Sequence, residues 1–268
     1  MEVLGIDIGG SGIKAAVVDT VAGRLVGERH RRETPSPATP AALVRTMSEL
    51  VGACAWNGPV GVGFPGVVRH DVVYTAANLD ASWVGLDLAA LVREATGCPV
   101  SAINDADAAG LAEATFGAAR DRPGTVLLLT LGTGIGSALF LDGRLVPNTE
   151  LGHLEFRGDI AEAYAAASVR KAKDLRWTQW SKRLNRLLLH IDLLLSPDLI
   201  VLGGGVSAKF EKMAPHLDPS LRVVPAVMLN EAGIVGAALA AARKDLPANQ
   251  GATTGKASRK SPRRRAKA

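Results

Sequence analysis

Asp7 stands near the tip of an apolar stretch, VLGIDIGGSGIKAAVVD (residues 3–19), and three glycines follow it within five residues. A core strand gains nothing from a buried carboxylate, and a simple hairpin turn needs only one or two glycines. A backbone without Cβ atoms lets several N–H groups converge on one anion. Gly9-Gly10-Ser11-Gly12, with the Ser11 hydroxyl and the point charge of Lys14, therefore has the makings of a phosphate cradle. Asp7 would face such phosphates across Mg²⁺, a hard ion that takes oxygen ligands directly or through water. A second turn of this kind, Gly132-Thr133-Gly134-Ile135-Gly136, and a third glycine break, Gly203-Gly204-Gly205, come later. Neither turn is a GxxxxGK[ST] loop, and strand rather than helix follows the glycines, which excludes a dinucleotide fingerprint. One glycine hairpin is most often only a turn; two, each opening one half of the chain, are more specific.

The elements around these turns repeat. Residues 3–8 and 13–18 read as two strands joined by the first turn, and 24–33 as a more polar third strand. A proline-bearing loop (33–40) leads to a helix over 41–55, a strand over 60–66 and a helix over 86–96 closed by Gly97 and Pro99. A strand over 98–105 then runs into a helix over 106–117, with Gly117 expected in the left-handed capping position. The pattern restarts with strand, glycine turn, strand, DG turn and third strand over 125–146. A long helix over 174–195, a strand over 197–207 that breaks into the three glycines, and a helix over 233–244 complete it. Asn104-Asp105 sits where strand gives way to helix; a carboxylate there caps the helix or points into a cleft.

Composition sets the bounds. The chain has 268 residues, 47% apolar and 21% charged, which is globular. No apolar run is long enough for a spanning helix, and the start lacks a signal-peptide pattern, so a cytoplasmic protein without membrane contact is expected. Cys54 and Cys98 show no metal or disulfide spacing. The net charge of +5 resides in residues 251–268, which hold seven Lys/Arg and no acid; without them the charge is −2. The basic segment 245–268 cannot bury a core and is expected to be disordered. It lacks interleaved aromatics, so no nucleic-acid partner is expected.

The stretches DIGGSGIK (7–14), GFPG (63–66), ANL (77–79), NDADAAGLAE (104–113), LGTGIG (131–136), ELGH (150–153), EAYAAA (162–167) and VLGGGVS (201–207) resemble, in order, the ROK family of actin-like sugar kinases. The resemblance implies an α/β, two-domain actin-like (ribonuclease H-like) fold with an interdomain cleft. The smaller domain would comprise 1–107 with 233–244, and the larger 108–232. It implies Asp105 as general base, with Asp107 on the helix behind, and a sugar site of Asn78, Asn104, Asp105, Glu150, His153 and Glu162. It also implies a homodimer. Many ROK members follow the histidine with a zinc-binding cysteine cluster; this chain has no cysteine there, so no zinc is expected and other packing must orient His153.

Within the family the chain is similar to members that phosphorylate glucose from inorganic polyphosphate, through TLGTGIGSALF and WTQWSKRLNRLLLHIDLLLSPDLIVLGGGVS among other stretches. A long polyanion needs a basic track. Lys171, Lys173, Arg176, Lys182, Arg183 and Arg186 are the candidates, although such a run is also what a solvated helix face looks like. Gly203–Gly205 is where that family lays adenosine, so ATP stays open as a donor, and a strictly ATP-dependent hexose kinase is the alternative. A DNA-binding repressor of the family would need a helix-turn-helix before the first strand, where only two residues stand.

Overall fold

A computed structural model of the chain describes residues 1–76 and 79–245. Asn78 and residues 246–268 of the basic segment lie outside the described residues.

Two five-stranded sheets share one topology. In the first, β1 (Glu2–Gly9), β2 (Gly12–Asp19) and β3 (Arg24–Arg32) form an antiparallel meander. β4 (Val60–Phe64) and β7 (Val100–Asn104) extend it in parallel, giving the order β3-β2-β1-β4-β7. The small hairpin β5 (Val68–Arg69) and β6 (Val72–Val73) sits apart. The second sheet repeats the plan as β10-β9-β8-β13-β14, with β8 (Thr125–Leu131), β9 (Ile135–Leu141), β10 (Arg144–Val146), β13 (Leu199–Gly203) and β14 (Val223–Pro225). The hairpin β11 (Glu155–Phe156) and β12 (Asp159–Ile160) lies between them in the chain. The duplication read from the glycine turns is thus a duplication of sheet topology.

The sheets and helices form five layers because each sheet is apolar on both faces. Leu4, Ile6 and Ile8 of β1 pack with Val60, Val62 and Phe64 of β4 against α1 (Pro40–Ala53) and α2 (Leu88–Thr96). On the other face lie α3 (Asp105–Phe116) and α7 (Ala232–Asp245), sandwiched against Val126 and Leu128 of β8 and Ala138 and Phe140 of β9. The far face of the second sheet, Leu127, Leu129 and Leu131, is covered by α4 (Ala161–Ala165), α5 (Ala167–Ala172) and α6 (Trp177–Leu195).

The middle layer is made of small residues. α3 is buried nearly all round, which explains its weak amphipathic pattern. The backbone of α7 comes so close to the sheet that a methyl at Gly5 would overlap the Ile234 carbonyl, and one at Gly61 the Ala237 carbonyl. Gly236 meets the Ala108 carbonyl of α3 in the same way. The buried Glu113 of α3 is satisfied by three backbone N–H groups: Oε1 accepts from Val227 and Met228, Oε2 from Ala118 (2.9, 2.7 and 2.7 Å).

Element boundaries differ from the sequence reading in two instructive places. Gly117 closes α3 with φ −110°, not in the left-handed region; glycine is required there because a Cβ would strike the Glu113 carboxylate. The long helix starts at Trp177 rather than 174, since Arg176 is its cap and donates its N–H to Gln179 Oε1 (2.9 Å).

Replacing Gly236 by alanine must push α7 from α3. The expected cost is about 3 kcal/mol, the upper range for overpacking, a fall in melting temperature of roughly 6–12 °C. A thermal melt within 2 °C of the wild type, on the order of measurement error, would contradict this packing account.

Candidate active site

Both glycine turns open onto one cleft of about 220 Å³, and Asp105 lines it with them. The turns face each other: a Cβ built on Gly10 would stand 3.8 Å from Thr133 Oγ1. In the first, Gly9 pairs with Gly12, and the strand register sets Asp7 opposite Lys14. Lys14 Nζ donates to Asp7 Oδ2 at 3.1 Å, so the two candidate phosphate and metal groups hold one another. Asp7 also lies against the first turn of α7, where a Cβ on Gly233 would come within 2.6 Å of its Oδ1. The partial positive charge of a helix N-terminus favours a carboxylate at that place.

The second turn is built from its neighbours. Gly132 N–H donates to the Gly134 carbonyl at 3.0 Å. Ser168, the second residue of α5, donates from its N–H to the Gly132 carbonyl (3.0 Å) and from Oγ to the Thr133 carbonyl (2.6 Å). Gly136 has no room for a side chain between Thr130 and Ala106. Gly204 adopts φ +79°, and its Cβ position would press on the Leu131 backbone, so the third glycine break abuts the second turn. Gly204 and Gly205 are exposed and Gly203 is buried at the end of β13.

Asp105 is the first residue of α3, and Asn104 is the cap. Asn104 Oδ1 accepts from Asp107 N–H (2.9 Å) and its Nδ2 donates to the Gly66 carbonyl (3.1 Å), which fixes the strand-to-helix turn. Asp105 Oδ1 accepts from Ala106 N–H at 2.8 Å, leaving Oδ2 for the cleft. Burial, followed by the negative charge of Asp7, pushes the Asp105 carboxyl up to about 7.

The sugar candidates converge on the other wall. His153 stands between two carboxylates, Nδ1 at 3.5 Å from Glu150 Oε2 and Nε2 at 3.9 Å from Glu162 Oε1. These two acids orient the imidazole where cysteine ligands are lacking. Glu162 Oε2 in turn accepts from Ile135 N–H (3.1 Å), tying α4 to the second turn. Burial raises the Glu150 carboxyl, against the lowering effect of His153. Glu150, His153, Glu162, Asn104 and Asp105 all line the one cleft.

Asp107, set aside in the sequence as lying behind, is buried at 1% exposure. Its Oδ2 accepts from Asn148 N–H (2.7 Å), and Asn148 pairs both ends of its side chain with the Val68 backbone (2.9 and 3.0 Å). This ties α3 to the loop carrying Glu150. Burial raises Asp107 to about 7 as well. Arg31 was not foreseen: its Nη2 donates to the Ser11 carbonyl at 2.9 Å, placing a cation over the first turn. The register of β3 on β2, with Arg31 opposite Lys14, is the signal that could have found it.

The basic candidates divide. Arg183 lies 5.3 Å from the Tyr164 ring centre and Arg186 Nη1 donates to Tyr164 Oη (3.2 Å), with Arg157 at 5.8 Å from the same ring. Lys171, Lys173, Arg176 and Lys182 are exposed, the first two on and just after α5, beside the second turn. Among the described residues no cluster of three or more His, Cys, Asp or Glu is arranged to hold a metal. Asp7 offers the hard oxygen that Mg²⁺ takes when most of its shell comes from water and phosphate, and its charge is felt at Asp105. Asp7 thus suits a cation shared with a phosphorylated ligand.

Comparison with known proteins accords with this geometry. The model of the ROK family matches residues 3–163. The chain is 51% identical to a polyphosphate glucokinase of Mycobacterium tuberculosis over 237 residues, covering 88% of this chain and 89% of the relative. It is 47% identical to the Mycobacterium leprae polyphosphate glucokinase over 88% of this chain and 73% of that protein. The solved inorganic polyphosphate/ATP-glucomannokinase of Arthrobacter sp. strain KM superposes with a TM-score of 0.88 at 48% identity, over 91% of this chain and 99% of the other. A Streptomyces griseus ROK glucokinase, solved with glucose and AMPPNP, gives 0.79 at 24% identity over 91% and 100%, a likeness of fold.

Because Asp105 ionises at about 7 when folded, against 3.8 for an ordinary aspartate, the folded protein binds an extra proton between these values. Stability from this group therefore falls as pH rises through that window, and the penalty is complete above it. Asp105→Asn, which keeps the acceptor for Ala106, is expected to raise the melting temperature more at pH 8 than at pH 5. Equal gains at both pH values would contradict the raised carboxyl.

Proposed function

The chain belongs to the ROK family and has its actin-like α/β architecture, and from that premise we propose that it transfers the terminal phosphoryl group of inorganic polyphosphate to the 6-hydroxyl of glucose, giving glucose 6-phosphate. The observation that carries this reading is the meeting of two glycine turns and one carboxylate in a single cleft.

Each part has a role in the reaction. The N–H groups of the two glycine turns, other than those of Gly132 and Ile135, which the Gly134 carbonyl and Glu162 already take, hold the donor's last phosphates together with Ser11, Thr133 and Lys14. Glu150, His153, Glu162 and Asn104, together with Asn78 outside the described residues, pair with the ring hydroxyls, so a wrong epimer leaves buried groups unpaired. Asp105 Oδ2 accepts the proton of the sugar hydroxyl as its oxygen bonds to phosphorus; the bond from phosphorus to the bridging oxygen breaks, and a chain shorter by one phosphate leaves. The transition state is loose, so positioning and charge stabilisation do most of the catalysis. Asp7 would hold Mg²⁺ brought in with the donor, and the ion would supply neutralising charge. An Asp105 that ionises at about 7 is a base matched to neutral pH.

The same reading divides the chain into a small domain of 1–107 with 233–244 and a large domain of 108–232, closing on the sugar to exclude water. It places the enzyme in the cytoplasm as a homodimer; Leu189, Leu193 and Leu194, exposed on α6, are apolar surface that a second copy would cover. Beyond the turns the donor runs over Lys171, Lys173, Arg176, Lys182, Arg183 and Arg186. ATP is a second donor in this reading, supported by the open Gly204–Gly205 segment and by the dual donor named for the Arthrobacter relative.

Asp105→Asn is expected to lower kcat at least about 10³-fold while glucose binding, measured by calorimetry, is kept. In the wild type, kcat/KM for glucose should rise with pH through about 7. Retained turnover in the variant, or a limb near pH 4, about the ordinary carboxylate value, would reject Asp105 as base. Comparing glucose phosphorylation from polyphosphate and from ATP tests the donor: no transfer from polyphosphate would leave an ATP-dependent hexose kinase. Exchanging Lys182, Arg183 and Arg186 for alanine should raise KM for long polyphosphate more than for ATP; equal shifts would remove this part of the track.

A further inference from the structure

We propose that Arg170 and Lys212, both drawn to the Trp177 ring just outside the second glycine turn, form a subsite for the distal, non-reacting phosphates of a polyphosphate chain. The proposal rests on polyphosphate being a donor.

The location follows from two elements that start at the phosphate cradle and run outward. α5 is tied to the second turn through Ser168, and Arg170 lies two residues further on. The 3₁₀ segment Ser207–Lys212 is tied to the third glycine break, with Ser207 N–H and Oγ both donating to the Gly204 carbonyl (3.1 and 2.8 Å). The two elements meet again at Trp177, whose ring centre is 4.5 Å from the Arg170 guanidinium carbon and 5.8 Å from Lys212 Nζ. Two elements that begin at the glycine turns thus end at one indole flanked by two cations.

The charges at that indole are uncompensated. Among the described residues no carboxylate lies within ion-pair distance of Arg170 or Lys212, and Arg170 has only a long hydrogen bond to the Leu175 carbonyl (3.4 Å). Two cations on one ring repel each other, and the ring's quadrupole offsets this only in part. An anion lying between them removes the repulsion. The platform is firm: Trp177 packs edge-on to Trp180 at 5.7 Å, and buried Trp180 donates Nε1 to the carbonyls of Ala165 and Ala166 (3.0 and 3.1 Å). A guanidinium fork matches phosphate oxygens, and an ammonium adds a point charge.

The chemistry selects a donor. Polyphosphate carries a charge on every unit and delivers phosphate to this place, whereas a nucleoside triphosphate has only three phosphates and then an uncharged nucleoside. Arg170 and Lys212 therefore favour long polyphosphate over ATP, and Lys171 and Lys173 continue the track. Lys212 comes from a different element, so no charge run along α6 could have included it.

The test compares wild type with Arg170→Gln, Lys212→Gln and the double variant, using long-chain polyphosphate, tripolyphosphate and ATP as donors. The double variant is expected to raise KM for long-chain polyphosphate about tenfold, the effect of one charge-assisted contact, with KM and kcat for ATP and tripolyphosphate changed less than about twofold. ATP turnover also reports that the variants are folded. In addition, long-chain polyphosphate should change the tryptophan fluorescence of the wild type without glucose present, and Trp177→Phe should abolish that change. If the wild type uses polyphosphate but the double variant matches it, or if all three donors shift alike, the subsite is wrong while the donor reading stands. A wild type that does not use polyphosphate overturns the donor reading itself.

Discussion

The backbone of α7 lies against β1, β4 and α3 at separations that glycine alone permits, and the site depends on this contact. Gly5, Gly61 and Gly236 each take the place a methyl would contest with a carbonyl group. With α7 seated there, Asp7 reaches the first turn of α7 at Gly233, and α3 is fixed against the sheet with Asp105 at its start. The glycines thus do two jobs. At the turns they bring backbone to the cleft; inside the middle layer they let helices approach until the acids reach their places.

The cleft is acidic although its donor is an anion. Asp7, Asp105, Glu150 and Glu162 line or border it, with Lys14 and His153 as the nearby opposing groups. Burial and mutual repulsion keep Asp105 partly protonated near neutrality. In the proposed reading a cation arriving with the donor would relieve that repulsion, which couples charge on the donor side to the strength of the base. On that reading, backbone dipoles and outlying cations hold the donor with Asp7 on its side, while Asp105, Glu150 and Glu162 face the sugar.

Much of this was legible in the sequence. Glycine needs no neighbours to reveal a turn, and the repeated turn betrayed the repeated sheet. Asp105 was visible as a carboxylate at a strand-to-helix junction, but its role came from family likeness, because local spacing also fits a helix cap. Asn104 is in fact the cap, and the two residues divide the two readings between them. The bond of Asp107 to Asn148 and the place of Arg31 were missed for different reasons. The partner of Asp107 lies 41 residues away across the two sheets, and Arg31 acts through strand register rather than a motif. Pairings of that kind belong to the tertiary fold, as does the meeting of Arg170 and Lys212 on one ring.

The most direct measurement is a crystal structure of the protein with glucose and a short polyphosphate. The hexose 6-hydroxyl is expected within hydrogen-bonding distance of Asp105, with phosphate oxygens facing the two glycine turns, residues 9–12 and 132–136. Phosphate bound away from both turns, or a sugar whose hydroxyls do not approach Asp105, would contradict the account.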